Sequence, residues 1–132
     1  MIKQTALLLI AIIVVSCGDG SYEKATDAQD AGREFIRASL DGDYKKAKFY
    51  LLKDDDNLRL FEKSEADYNH LSAEAKRLYR EANIRPVSIT PVDTAHTKYT
   101  YWHTSNPKDT FTLSVVKVKD EWLVDLKSII ER

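Results

Sequence analysis

A single cysteine stands among the 132 residues, so the chain can build neither an internal disulfide framework nor a cysteine-rich zinc site. An excess of basic charge is missing too: 20 Lys and Arg face 21 Asp and Glu, for a formal net charge of −1. Neutralising a run of phosphates takes a clear basic excess, so nucleic acid is set aside as a partner. The basic residues Lys45, Lys46, Lys48 and Arg77, Arg80, Arg85 are interleaved with acids, as on solvated helix faces. Neither a glycine-rich phosphate loop nor a G-x-S-x-G nucleophile elbow occurs. His70 and His96 stand without the spacing of zinc ligands. The run Asp54-Asp55-Asp56-Asn57 lacks the alternating carboxylates, central glycine and closing glutamate of a calcium loop, and suits a helix N-terminus better. No metal and no cofactor is expected. Internal repeats and low-complexity tracts are absent, and the length allows one compact domain.

Against these absences stands one long apolar run. Lys3 precedes a segment from Thr5 to Val15 that carries no charge. As a helix it would reach about 16 Å, well short of a bilayer core of roughly 30 Å. Such a segment suits an export signal better than a membrane anchor. It ends in Val14-Val15-Ser16-Cys17, which resembles the bacterial lipobox. The resemblance implies transfer of diacylglycerol to the Cys17 sulfur and cleavage before it by signal peptidase II. Ser16 is small enough for the protease subsite, and the thiol is the nucleophile that takes the lipid. Two or three acyl chains on one residue anchor stably, where one alone is marginal. Residues 1–16 are thus expected to be the signal peptide and residues 17–26 the lipidated cysteine with a flexible tether. Loss of Lys3 would leave 19 basic against 21 acidic residues. By the resemblance to enterobacterial lipoproteins, Gly18 rather than Asp after the cysteine would permit outer-membrane delivery, and the expected location is the outer membrane or the periplasmic face of the envelope.

Residues 27–132 are expected to form a single α+β domain. Ala28, Ala31, Phe35 and Ala38 fall at helical spacing, widened by Ile36 and Leu40. Asp27 suits its start and Asp41-Gly42 its end. Asp43 would cap a short second helix with Tyr44, Ala47 and Leu51 on one side. Helical rhythm resumes from Leu58 through Phe61, Tyr68 and Leu71, with Ser72 as a further cap, so residues 57–82 form one helix or two. After Asn83 the period falls towards two. Ile84 to Val92, with Pro86 and Pro91, suits an edge strand. Thr94 to Thr104 places Ala95, Thr97, Tyr99, Tyr101 and His103 on one face, and His96, Lys98, Thr100 and Trp102 on the other. Ser105-Asn106-Pro107-Lys108 is expected to turn. A hairpin of Phe111 to Val118 and Trp122 to Ile129, with a three-residue loop, would set Val118 against Trp122 and Val116 against Val124.

The segment from Phe35 to Ala47 (FIRASLDGDYKKA) resembles the opening helix–turn–helix of domains with the nuclear transport factor two-like, or cystatin-like, fold. Leu113 to Asp125 (LSVVKVKDEWLVD) is similar to their closing hairpin. The resemblance spans roughly residues 24–130 and points to SnoaL-like domains of unknown function on bacterial lipoproteins. It implies N-terminal helices packed on a curved antiparallel sheet of about four strands, often around a cone-shaped cavity. A pocket is expected from Tyr99, Tyr101, His103, Phe111 and Trp122. Enzymes of that superfamily often pair a His with an Asp inside the cone, which makes His103 with Asp125 the candidate proton-transfer pair of an isomerase or hydrolase. The favoured expectation is non-enzymatic: a lipid-anchored envelope protein that binds a small hydrophobic ligand or an envelope protein partner. A homodimer formed through the sheet is the remaining alternative.

Overall fold

The computed structural model describes residues 22–127. The leader, Cys17 and the first part of the tether lie outside them. Each helix begins where a short acid or hydroxyl side chain can accept from an otherwise unpaired first-turn N–H. In α1 (Ala28–Asp41), Asp27 accepts from the Asp30 amide at 2.8 Å, and Asp30 reaches back to the Thr26 amide at 3.0 Å. Asp43 caps α2 (Tyr44–Phe49) and Asp54 caps α3 (Asp55–Asn69), the latter accepting from the Asn57 amide at 2.8 Å. Asp55 and Asp56 lie in the first turn of α3, where the helix dipole favours them. Ser72 opens α4 (Ala73–Glu81). The stretch from 57 to 82 is therefore two helices.

Gly42 ends α1 with φ of +76°, and a Cβ there would fall 2.5 Å from the Tyr68 hydroxyl. Both the turn and the packing of α3 over it require glycine. Arg37 of α1 secures α4: its guanidinium donates to the carbonyls of Ala82 at 2.6 Å, Tyr79 at 3.1 Å and Arg80 at 3.2 Å, and pairs with Asp41 at 2.9 Å. Carbonyls at a helix C-terminus lack i+4 amide donors, and here only that of Tyr79 also accepts from a capping amide, that of Ala82, at 3.2 Å.

Four strands follow in an antiparallel meander of order β1-β2-β3-β4: β1 (Ile84–Asp93), β2 (His96–His103), β3 (Asn106–Val118) and β4 (Glu121–Asp125). The protein is an α+β fold with its helices N-terminal to the sheet. β1 is an edge strand, as Pro86 and Pro91 require, and its ladder is irregular near both prolines. At the other edge, the Leu52 amide donates to the Val124 carbonyl at 2.9 Å and the Val124 amide donates to the Tyr50 carbonyl at 2.7 Å. Both sheet edges are thus guarded against pairing with other chains.

α1 packs against all four strands. Its buried stripe of Ala28, Ala31, Phe35, Ile36, Ala38 and Leu40 meets an inner sheet face that includes Tyr99, Leu113, Val115 and Val124. Gly32 lets Tyr99 approach, since a Cβ there would stand 3.0 Å from the ring. The expected two faces of β2 hold: Thr97, Tyr99 and His103 are buried, while His96 and Lys98 are exposed.

Two expectations need correction. The turn after β2 occupies Thr104 and Ser105 alone, and Asn106-Pro107-Lys108 already belongs to β3. The β3–β4 loop has two residues, not three: Val118 pairs with Glu121, Lys117 with Trp122 and Val115 with Val124. Lys119 and Asp120 both adopt positive φ, +50° and +62°, as in the tight hairpin turn whose twist suits its flanking strands. β4 ends at Asp125.

The beginning of the described chain lies on the domain. Tyr22 rests on Phe49 with ring centroids 5.5 Å apart, the Tyr50 hydroxyl donates to the Glu23 carbonyl at 2.8 Å, and Ala25 packs on the core. No helix among the described residues is long and apolar enough to cross a membrane.

Candidate functional site

Strand alternation brings Tyr101 and His103 to the inner face, and the β2–β3 pairing sets Phe111 opposite Tyr101. Helices α1, α2, α3 and α4 face them across a gap. The result is a cavity of about 530 Å³ between the sheet and the helices, with Tyr101, His103, Phe111 and Leu113 on its sheet side. That volume falls within the usual range of small-molecule sites. Phe35, Ile36 and Leu40 of α1 contribute to the helical side, together with Tyr44, Phe61, Tyr68 and Tyr79.

Three of the five pocket residues expected from the sequence are thus brought together, and two stand elsewhere. Tyr99 is wholly buried against α1, outside the lining, and its hydroxyl finds no hydrogen-bond partner among the described residues. Burial raises its pKa, opposed by the nearby Arg33 charge. Trp122 packs on the margin of the core, with the Lys117 ammonium 5.7 Å from its ring centroid. The alternation that buries Val124 beside it keeps Trp122 on the inner side, but away from the gap.

His103 is held by two aromatic rings and one hydroxyl. Its ring stacks on Phe111 at 5.6 Å, with 6° between the planes, and meets the edge of Tyr79 at 5.9 Å. Nδ1 lies 2.6 Å from the Ser105 hydroxyl. Burial, and to a lesser degree the positive charge of Arg37, push its pKa below the ordinary histidine value, which favours the neutral ring. Burial also drives the Tyr101 phenol well above its usual range and pushes Tyr44 up to about 12.

Asp125 does not join His103. It pairs with Ser114 on the ladder, one residue out of phase with the inward Val124, and thus falls on the opposite face from His103. Its carboxylate accepts from the Asn57 side-chain amide and the Lys127 backbone amide, each at 3.1 Å. The two groups are therefore not within reach for a shared proton transfer. Asp125 serves instead in a clasp: buried Asn57 donates to it and accepts from the Leu126 amide at 2.7 Å, joining α3 to the end of β4. Among the described residues no cluster of three or more His, Cys, Asp or Glu side chains is placed to hold a metal ion.

The helical half of the lining was not singled out from the sequence. Phe35 and Phe61 read as ordinary core, and Tyr44, Tyr68 and Tyr79 as stripe positions. One signal was available: tyrosines recurring on the apolar stripes of otherwise highly charged helices, where a purely structural stripe would carry aliphatic residues.

No family model, no curated protein and no solved structure matches this chain.

Proposed function

We propose that this is a lipid-anchored cell-envelope protein, of the nuclear transport factor two-like kind, whose domain binds a small hydrophobic ligand without transforming it. The observation that carries the binding reading is the cavity of about 530 Å³ with Tyr101, His103 and Phe111 on one wall and helix aromatics on the other. An apolar gap of that size with a few polar atoms is what a small-molecule site requires. A binding role without catalysis is supported by the engagement of Asp125 with Asn57 and Lys127; among the described residues the side-chain hydrogen bond of His103 goes to Ser105 and not to a carboxylate.

The anchor reading rests on Cys17 and the run before it. Replacing Cys17 by Ser is expected to abolish labelling of the protein by radioactive palmitate and to leave the leader uncleaved; continued labelling would end that reading. The binding reading is tested by native mass spectrometry of the protein purified gently from its own host's envelope. A reproducible added mass of small-molecule size is expected. Bare protein masses, together with no uptake of hydrophobic probes, would overturn it and turn attention to envelope proteins or a second copy of the chain as the partner.

A further inference from the structure

The chemistry of the wall narrows the ligand further. We infer that the cavity selects an uncharged, ring-bearing apolar molecule with one hydroxyl or carbonyl at an end, and rejects carboxylates and phosphates; this rests on the ligand-binding reading above.

The first argument is the absence of counter-charge. Among the described residues neither Lys nor Arg lines the cavity, and the one carboxylate that does is Asp67. Three cations on the helices that line it are already engaged. Arg37 is committed to the carbonyls of Tyr79, Arg80 and Ala82 at the end of α4 and to Asp41. Lys63 pairs with Asp67 at 3.1 Å, and Lys76 lies over the Tyr68 ring at 5.4 Å. An anion entering between Phe35, Phe61 and Phe111 would give up water with no cation to meet it, which is costly at a partly enclosed apolar site. Burial and the Arg37 charge both oppose protonation of His103, which works in the same direction.

A second argument concerns the polar end. Among the described residues no protein group hydrogen-bonds the Tyr101 hydroxyl or Nε2 of His103, and both residues line the cavity. They sit two residues apart on one strand face, so their Cα atoms are about 7 Å apart. By contrast, the Tyr44 hydroxyl is already used on the Ser64 carbonyl, and His103 Nδ1 on Ser105. A ligand hydroxyl both donates and accepts, and so satisfies Nε2 in either tautomer. The opposite wall offers aromatic faces and edges, on which a ring system packs well.

The test uses three probes of one shape: 2-naphthol, naphthalene and 2-naphthoate. Binding to the full chain held in lipid nanodiscs is measured by equilibrium dialysis at pH 7, with empty nanodiscs as the reference for partition. The naphthol is expected to bind about tenfold or more tighter than the naphthoate and several-fold tighter than naphthalene. Tyr101→Phe, which removes one oxygen and keeps the ring, should bring the naphthol down towards naphthalene and leave naphthalene unchanged. Naphthoate binding as tightly as naphthol would overturn the charge selection while leaving a ligand-binding cavity. An unchanged naphthol affinity in Tyr101→Phe would overturn the placement of the polar end at β2. If none of the three binds, the ligand-binding reading falls, and this inference falls with it.

Discussion

At the scale of single residues, two buried side chains of β2 carry polar groups whose burial has a cost. Tyr99 buries a hydroxyl that no protein group satisfies among the described residues, and such a group costs roughly 1–3 kcal/mol. Tyr99→Phe keeps the ring that packs on Gly32 and removes that cost. It should stabilise the protein by about 1 kcal/mol, read as a higher urea midpoint at constant slope. A lower midpoint would mean that the hydroxyl is satisfied after all. His103 makes stability depend on pH. Its folded pKa lies below the ordinary 6.5, so below that value the unfolded chain binds the proton more readily than the folded one. Stability should be fully present above about pH 6.5 and decline as pH falls towards the folded value. Asp30 and Asp54, whose carboxyls are lowered by hydrogen bonds and by Arg33 and Lys127, contribute only further down, below the ordinary 3.8. His103→Phe should flatten the profile just below about pH 6.5; an unaltered slope would assign the decline to another group.

Among the elements, the β3–β4 hairpin is the least settled by its own sequence. Lys119 and Asp120 occupy left-handed backbone, where a residue with a Cβ pays about 1–2 kcal/mol. Lys119→Asn with Asp120→Gly supplies the residues this turn prefers. The pair should raise the thermal midpoint by several degrees, corresponding to about 1 kcal/mol, and a fall would argue against the two-residue loop. The helices present the opposite case. Asp27, Asp43, Asp54 and Ser72 each cap the helix after them, because capping is a local matter of one side chain and a nearby amide. The same locality made the buried stripe of α1 legible, as a 3.6-residue period needs no knowledge of what it packs against. Hairpin register was harder: one loop residue more or fewer turns every paired side chain, and the composition of Val118 to Trp122 does not report loop length.

For the molecule as a whole, helices and sheet share one core. α1 touches all four strands, and Asn57 and Arg37 tie α3 and α4 into the same unit. Unfolding should therefore be a single cooperative transition. The chain offers a direct check, since both of its tryptophans, Trp102 and Trp122, stand on the sheet. Tryptophan fluorescence thus reports the sheet, and far-UV circular dichroism is dominated by the four helices. The two urea curves should coincide; a separation of the midpoints would mean that the helices and the sheet melt independently.

The sequence alone determined the α+β class, both ends of the first helix and the start of the second, the edge character of β1 and the two faces of β2. All of these follow from periodicity, capping and backbone chemistry acting within a few residues. The second helix, expected to carry Leu51, ends at Phe49, and Leu51 bridges to Val124 of β4 instead. Only the tertiary structure decided which aromatics face the cavity. Tyr99 and Tyr101 share a strand face two residues apart, yet α1 covers the first and the gap receives the second. That difference depends on where the helices lie against the sheet, at sequence separations of tens of residues. The same holds for Asp125, whose neighbours in sequence say nothing of Asn57, 68 positions away, which claims its carboxylate.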